Sequence, residues 1–584
     1  MNNSFLSHYI AKAINEIYFN NENEVDPISI VIENPPNPQL GDYATPLFGF
    51  AKSLKSAPAA IAQRIKEWFD KNVKEFEAVV AGPYLNLFVK MQYFAKELIS
   101  QILEEGDKYG HNDIYRGKKI MIEFSCPNTN KPLHLGHLRN DSLGESVSRI
   151  LKVAGAEVYK VNLINDRGIH ICKSMLAYSR FGQGKTPQSE NRKSDHFVGD
   201  YYVRFDKWAK EEQEALGLAQ QMLVKWEQGD KETVELWKLM NEWTVSGINE
   251  TYKNTGISFD KIYYESQTYQ AGREQILKGL DEGLFYKDEE GTVWVDLTDI
   301  GLDKKVLLRK DGTTLYLTQD IGTAIARHTD YPFDSLIYVV ASEQQYHFKV
   351  LFHVLSLLGY EWASQLYHLS YGMVNLPEGK MKSREGTVVD ADDLFLELST
   401  LAAKEIVSKG RENEVEDVEA VSKAIALGAL NYYLLATTPS KDMIFNPKET
   451  ISFQGNTGPY AQYMGARISS LILKYKRMCN ENEKLRDAVF DGALLTTLQE
   501  RQLIKLLGEF PKVVLVAAKD KNPSVVVSFL YELCKTFSRF YHDLPILANE
   551  DYNLISTRIE VSKGVLQVIK NCFELLGIPF LDKM

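Results

Sequence analysis

The chain has 584 residues, which at roughly 150 residues per domain predicts about three to five domains and excludes a single small binding module. Hydrophobic residues make up 44% and charged residues 25%, a globular composition that excludes wholesale disorder and fibrous repeats. With 67 Lys and Arg against 78 Asp and Glu, the net charge is −11, an acidic balance that argues against non-specific nucleic-acid binding by bulk charge while still allowing a local basic groove.

The first stretch alternates helical patterning over Phe5 to Phe19 and Ala57 to Phe69 with a Pro/Gly-rich segment, Asn34 to Gly41, and a strand, Tyr84 to Val89, entered through Gly82-Pro83. It reads as an α/β appendage ending near Tyr109-Gly110. After Gly117-Lys118-Lys119 the pattern changes to a strand, Ile120 to Phe124, then a Pro/Asn loop, then a helix from about His137 to Val153, closed by Gly155. A second strand, Val158 to Ile164, and a helix after Asp166-Arg167-Gly168 continue the series. Such alternation predicts a Rossmann-like, doubly wound parallel sheet, whose ligands sit beyond the carboxyl ends of the strands.

From about Gly182 to Gly256 the text is polar and helical, with Trp208, Trp226, Trp237 and Trp243. The first three share one face if the helix is continuous, and that face reads as buried core rather than a base-stacking platform. Strand-like segments at Thr292 to Leu297, Thr313 to Leu317, Leu336 to Val340 and Leu366 to Tyr371 predict that the sheet resumes after this insertion. From Asp392 to Leu576 the chain reads as helix after helix, with no internal repeat. The expected division is 1–112, an N-terminal added domain; 113–395, the sheet domain with a helical insertion at about 185–260; 396–450, a helical connection; and 451–584, an all-helical bundle.

The cysteines, Cys126, Cys172, Cys479, Cys534 and Cys572, are scattered, odd in number and never in a C-x-x-C pair, which argues against a zinc ribbon or a disulfide framework. The start lacks a basic region followed by an apolar one, and no apolar run approaches the ~18 residues of a membrane span. The expectation is a cytoplasmic protein with no membrane partner.

The most informative loop runs from Ser125 to His137, between a strand and a helix, and contains Lys131 and His134-Leu135-Gly136-His137. A helix N-terminus offers free N–H groups and partial positive charge, which suits a phosphate. Gly136, having no Cβ, lets a nucleotide approach the backbone. A second loop, Glu378 to Gly386, reads alone as a solvated charged turn; beside the first it becomes a candidate polyphosphate clamp with Lys380 as the point charge. These two loops resemble the two signatures of class I aminoacyl-tRNA synthetases, and the surrounding blocks resemble the arginyl-tRNA synthetases. The blocks are Glu123-Phe124-Ser125 with Pro127-Asn128, Asn165 to Gly168, Tyr264-Glu265-Ser266, Asp311 to Thr313 with Tyr316 to Thr318 and Asp320, Gly455 to Tyr460 with Gln462-Tyr463, Arg539 to Tyr541, and Leu576 to Ile578 with Met584. The resemblance spans nearly the whole chain.

What the resemblance implies is a two-step ligase: L-arginine and ATP give arginyl-adenylate and pyrophosphate, and arginine then passes to the 3′ terminal adenosine of its tRNA. By that similarity His134, Gly136, His137, Met373, Val374, Lys380 and Ser383 hold ATP, and Lys131, His134, His137 and Lys380 are the catalytic groups. The second loop departs from the class pattern, with Lys382 where a serine is usual, Ser383 where a lysine is, and Glu385 in place of a basic residue; Lys131 is assigned the compensating role. Arginine recognition falls to Glu265 and Asp320, with Tyr316, Asn128, Gln344, Glu123 and Ser125 lining the pocket, because a guanidinium is satisfied best by carboxylates. Without the resemblance Asp320 reads as a helix cap and Glu265 as a surface carboxylate. For tRNA the resemblance offers Asn86 and Phe88 on the appendage and Tyr460, Tyr463 and Met584 in the bundle, near the basic residues Arg467, Lys474, Lys476, Arg477 and Lys484, which on composition alone read as a solvated helix face. Mg²⁺ is implied by ATP chemistry, no protein metal site is expected, and a monomer is the expected state. The competing readings are a small-molecule nucleotidylyltransferase, which leaves the acidic blocks and the helical end unexplained; a silent tRNA-binding relative, which the intact Lys131, His134, His137 and Lys380 oppose; and a cysteinyl enzyme, which lacks its cysteine-based zinc site here.

Overall fold

The computed structural model describes residues 3–19, 25–33, 35, 37, 40–376, 379–380, 389–408, 410, 415 and 417–584. In the N-terminal part, strands β1 (Tyr43–Pro46), β2 (Phe76–Ala81) and β3 (Tyr84–Val89) form an antiparallel sheet in the order β1-β3-β2. Gly82 turns the β2–β3 hairpin at φ 59°, a left-handed conformation that glycine adopts without a Cβ penalty. Helix Pro58–Asn72 covers this sheet because Ile61, Ala62, Ile65 and Phe69 recur at helical spacing and are all buried.

The central sheet has five parallel strands, β4 (Lys119–Glu123), β5 (Glu157–Ile164), β6 (Lys261–Tyr264), and, later in the chain, β10 (Ser335–Ala341) and β11 (Leu366–Tyr371). Their order is β11-β10-β4-β5-β6, so the chain winds one way from β4 through β5 and β6 and returns on the other side. This reversal opens a crevice beyond the ends of β4 and β10, where ligands bind in such sheets. Between the two halves, β7 (Tyr286–Lys287), β8 (Val293–Val295) and β9 (Lys305–Leu308) make a separate antiparallel sheet. The expectation that the central sheet resumes at Thr292 to Leu297 and Thr313 to Leu317 is therefore corrected. The first segment belongs to the side sheet, and the second contributes one bridge, Leu308 to Thr314, before a helix starts at Tyr316. A third small sheet joins β12 (Val374–Leu376), β13 (Gly379–Lys380) and β14 (Met443–Ile444).

The insertion is not one long helix. Trp208, Trp226 and Trp237 lie on successive helices, Ser194–Glu211, Glu214–Glu227 and Lys231–Thr255, so the one-face spacing does not apply. The core expectation holds by another route: Trp208 is buried, Trp237 and Trp243 pack on the same cluster, and Trp226 leans on Trp237 at 5.3 Å. From Ala391 the described chain is largely helical, with long helices Ala391–Ser408, Val418–Ala436, Gly458–Glu481, Leu498–Asp520, Ser524–Asp543 and Tyr552–Leu576. Among the described residues, no helix is long and apolar enough to cross a membrane.

Candidate active site

At the end of β4 the chain makes an abrupt turn through two non-glycine residues in the left-handed region, Ser125 (φ 74°) and Cys126 (φ 49°). That conformation costs roughly 1–2 kcal/mol per residue, and two asparagines offset it. Asn140 Oδ1 accepts the Ser125 N–H at 2.6 Å, and Asn162 Oδ1 accepts the Cys126 N–H at 3.0 Å. The Ser125 hydroxyl lies 2.6 Å from the Tyr252 hydroxyl. The loop then crosses the end of β5, bridging Asn128 to Asn165, and enters helix Leu135–Val153.

His134 is the N-cap of that helix. Its Nδ1 accepts from the Gly136 N–H at 3.1 Å, while His137 Nδ1 accepts from the His134 N–H at 3.1 Å. A nitrogen that accepts carries no proton, so both imidazoles are neutral with the hydrogen on Nε2. Burial and the neighbouring Lys131 agree: they push His134 down to about 4 and His137 well below the usual histidine range. The rings lie 4.0 Å apart, presenting two Nε2–H donors without fixed charge. A Cβ at Gly136 would press on the His134 ring at 3.0 Å, so this glycine first protects the cap. Lys131 is largely buried, which lowers its pKa, and its charge is felt by His134, His137 and His170.

The second signature falls on residues 380–385. Met381 to Glu385, with Lys382, Ser383 and Arg384, and the Lys380 side chain lie outside the described residues. Its flanks are described. The buried Arg139 guanidinium on the first signature's helix donates to the carbonyls of Gly372, Met373, Pro439 and Lys441 at 2.7 to 3.3 Å, fixing Met373 and the start of β12 with Val374. On the other flank, the Leu135 N–H donates to Val389 and the Ala391 N–H to Leu133, each at 3.0 Å.

Across the crevice, Glu265 and Asp320 are brought together by glycines. Helices Glu265–Asp281 and Tyr316–Asp330 touch backbone to backbone, so that a Cβ at Gly272 would overlap the Thr318 carbonyl and one at Gly322 would lie 2.5 Å from the Gly272 nitrogen. Glu265 is buried, and its carboxyl is pushed up to about 7, chiefly by burial, with Arg167 pulling it down and Asp320 and Asp166 raising it. The Gln319 amide lies between Glu265 Oε1 and Arg167 Nη1, and Arg167 also bonds Glu227 at 2.8 Å and stacks over Tyr269. Asp320 is half-buried and its Oδ2 lies 2.6 Å from His347 Nε2.

The remaining pocket residues divide. Tyr316 is 70% exposed at the start of its helix, Gln344 is exposed just past β10, and Asn128 is half-buried. Glu123 is fully enclosed in an ion pair with Arg327, and Ser125 is engaged with Tyr252; both support the floor of the crevice. Of the residues offered for tRNA, Tyr460 and Tyr463 are half-buried on helix Gly458–Glu481, where Arg467 stands over the Tyr463 and Tyr541 rings at 5.5 and 4.6 Å. Met584 is buried with Ile406, Ile425 and Ala466. Phe88 is half-buried, whereas Asn86 is buried within β3, so a tRNA contact there would need that strand to open.

Comparison with known proteins decides the family. The model described as "tRNA synthetases class I (R), catalytic domain" matches residues 98–447, more than half of the chain. The chain belongs to the arginyl-tRNA synthetases. The model of the arginyl-tRNA synthetase N-terminal domain matches 4–89, and that of the DALR anticodon-binding domain matches 461–584. An arginine–tRNA ligase of Treponema denticola is 58% identical over 98% of both chains, and one of Treponema pallidum is 50% identical over 99% of this chain and 98% of that one. The arginyl-tRNA synthetase of Thermus thermophilus superposes at a TM-score of 0.78 with 26% identity, each chain fully covered. Sequence reasoning missed several residues of this synthetase that shape the site: Arg139, Asn140, Asn162 and Arg327. Arg139 carried a signal, a cation facing the core side of an amphipathic helix. The others become visible only when distant segments meet.

Proposed function

We propose that this chain joins arginine to ATP and then to tRNA, with the His134 loop as the phosphate side and Glu265 with Asp320 as the guanidinium side of one crevice. The observation that carries the reading is that the His134 loop follows β4 and Glu265 follows β6, so both leave the carboxyl edge of the same parallel sheet. In the first step the arginine carboxylate attacks the α-phosphorus and pyrophosphate leaves, so negative charge grows on the phosphoryl oxygens. Fixed donors that need no reorganisation suit that change. His134 and His137 supply neutral Nε2–H donors and Lys131 the charge, compensating for the lysine missing from the second signature; Lys380 and Ser383 complete the phosphate contacts, with Gly136, Met373 and Val374 against the nucleotide. In the second step the terminal adenosine hydroxyl attacks the arginyl carbonyl carbon and AMP leaves.

Arginine is held by Glu265 and Asp320, with Tyr316, Gln344 and Asn128 around it and Glu123 and Ser125 beneath. Mg²⁺ enters with the ATP phosphates: His134, His137 and Lys131 offer nitrogen rather than the oxygen ligands that Mg²⁺ prefers. For tRNA, Tyr460, Tyr463 and Met584 belong to the anticodon end and Phe88, with Asn86 behind it, to the N-terminal domain. The working division is 1–112, 113–395, 396–450 and 451–584, in a monomeric cytoplasmic enzyme.

The test is ATP-dependent charging of total tRNA with each of the twenty amino acids offered separately. Charging with arginine alone is expected. Binding of tRNA without charging would favour the silent-relative reading and point to Lys382 and Glu385.

A further inference from the structure

A second polar cluster lies beside the His134 loop, built by the helical insertion and the segment that follows the second signature in sequence. Asp392 Oδ2 lies 2.6 Å from Lys193 Nζ and 2.9 Å from His196 Nε2, and Asp392 Oδ1 accepts from the Thr251 hydroxyl at 2.9 Å. Lys193 also reaches Asp195 Oδ2 at 3.0 Å and Thr251 Oγ1 at 2.6 Å. Asp390 Oδ1 accepts from the Asp392 and Asp393 N–H groups and lies 3.5 Å from His196 Nε2. Asp195, His196 and Asp392 bring their ligand atoms within 4.8 Å of one another, but the Lys193 ammonium already supplies the cation there. The carboxyl of Asp392 is held down to about 2: burial works against its ionisation, and hydrogen bonds from His196 and Lys193 outweigh it.

This cluster grips the segment that pairs with the cap histidine. Residues 389–391 run antiparallel to 133–135, with His134 opposite Asp390. Helix Lys231–Thr255 closes on it, since a Cβ at Gly247 would overlap the Asp195 carboxylate.

We infer that Lys193 and His196 are positioning residues for the adenylation step: by holding Asp392, with His196 also facing Asp390, they clamp residues 389–392 against 133–135 and so fix the His134 ring. The inference rests on the reading of His134 as a phosphate contact. His134 gains a second edge of backbone pairing that its own helix does not provide. Small displacements of positioned groups cost large factors in rate.

The test is ATP–pyrophosphate exchange by the full-length protein with tRNA present. Lys193→Ala and His196→Ala are each expected to lower kcat/KM for ATP by about tenfold or more, with the KM for arginine changed by less than about twofold. His196→Gln, which can still donate to Asp392, is expected to recover most of the loss. In a His134→Ala background, adding Lys193→Ala is expected to cost nothing further, because the clamp acts through that ring. Should Lys193→Ala fold poorly, Thr251→Val removes the bonds of the Thr251 hydroxyl to Asp392 and Lys193 in the same cluster and is read in the same way. Normal ATP kinetics in Lys193→Ala beside a defective His134→Ala, or additive losses in the double variant, would overturn the clamp alone. Normal ATP kinetics in His134→Ala would overturn the phosphate reading, and the clamp with it.

Discussion

Two histidines that cap one helix with their own rings set the electrostatics of the phosphate side. Because both Nδ1 atoms accept backbone N–H groups, protonating either ring breaks the cap, so neither changes charge near neutral pH. Glu265 behaves oppositely. Its carboxyl, pushed up to about 7 chiefly by burial, with Asp320 and Asp166 adding to the rise, is protonated below that pH, and an arginine guanidinium then meets one charge fewer. The KM for arginine is expected to rise about tenfold between pH 8 and pH 6, since only the ionised form pairs with the ligand. Glu265→Gln is expected to bind arginine poorly and to show no such slope. A flat arginine KM across this range in the unaltered enzyme would remove Glu265 from the pocket. The sequence made Glu265 and Asp320 legible as a pair through matching blocks. It did not show that Glu123 is spent on Arg327, because two side chains from distant segments must meet before that pairing exists.

At the scale of elements, glycines decide how close the acidic helices come. Gly272 and Gly322 let helices Glu265–Asp281 and Tyr316–Asp330 pack with no side chain between them, and Thr268 and Thr323 share a hydrogen bond of 2.8 Å at the same contact. The clash at Gly272 is with backbone, which cannot rotate away. Gly272→Ala is therefore expected to push the helices apart, costing about 1–3 kcal/mol of stability and lowering kcat/KM for arginine by about tenfold or more while the KM for ATP holds. Thermal melts with kinetics for both substrates check it, and an unaltered arginine kcat/KM would show that the glycine contact does not set the pocket. Four of the five central strands were readable from their apolar runs, since β4, β5, β10 and β11 lie where the sequence places them, whereas β6 was not read as a strand. Thr313 to Leu317 was misread because an apolar, β-branched run next to a helix start has no period long enough to separate the two. The tryptophans misled for a related reason: whole-turn spacing is blind to the breaks at Glu212 and at Gly229-Asp230.

At the scale of the whole molecule, the N-terminal part, the back of the central sheet and the C-terminal bundle share one apolar cluster, running from Leu6 through Phe124 and Leu151 to Phe510 and Ile578. Polar contacts stitch the same seams. Arg501 donates to Asp42 and to the Val89 carbonyl, Tyr109 to the Leu507 carbonyl, and Ser146 on the first signature's helix to the Leu575 carbonyl. Asn431 joins Ser142 to the Gly577 carbonyl at 2.9 and 2.7 Å. The sequence hinted at this only through its lack of long linkers, because pairs such as Tyr109 and Leu507 leave no local pattern. Chains of this length usually unfold domain by domain. Here no part can leave without exposing apolar surface on the other two, so calorimetry is expected to show one dominant transition. Gly110→Ala drives a Cβ into the Phe510 ring at the seam and also strains a left-handed glycine, so it is expected to lower that transition as a whole, with the far-UV signals of sheet and bundle falling together. A split into separate melts in the unaltered protein would show that the shared cluster is a contact between independently stable domains rather than one core.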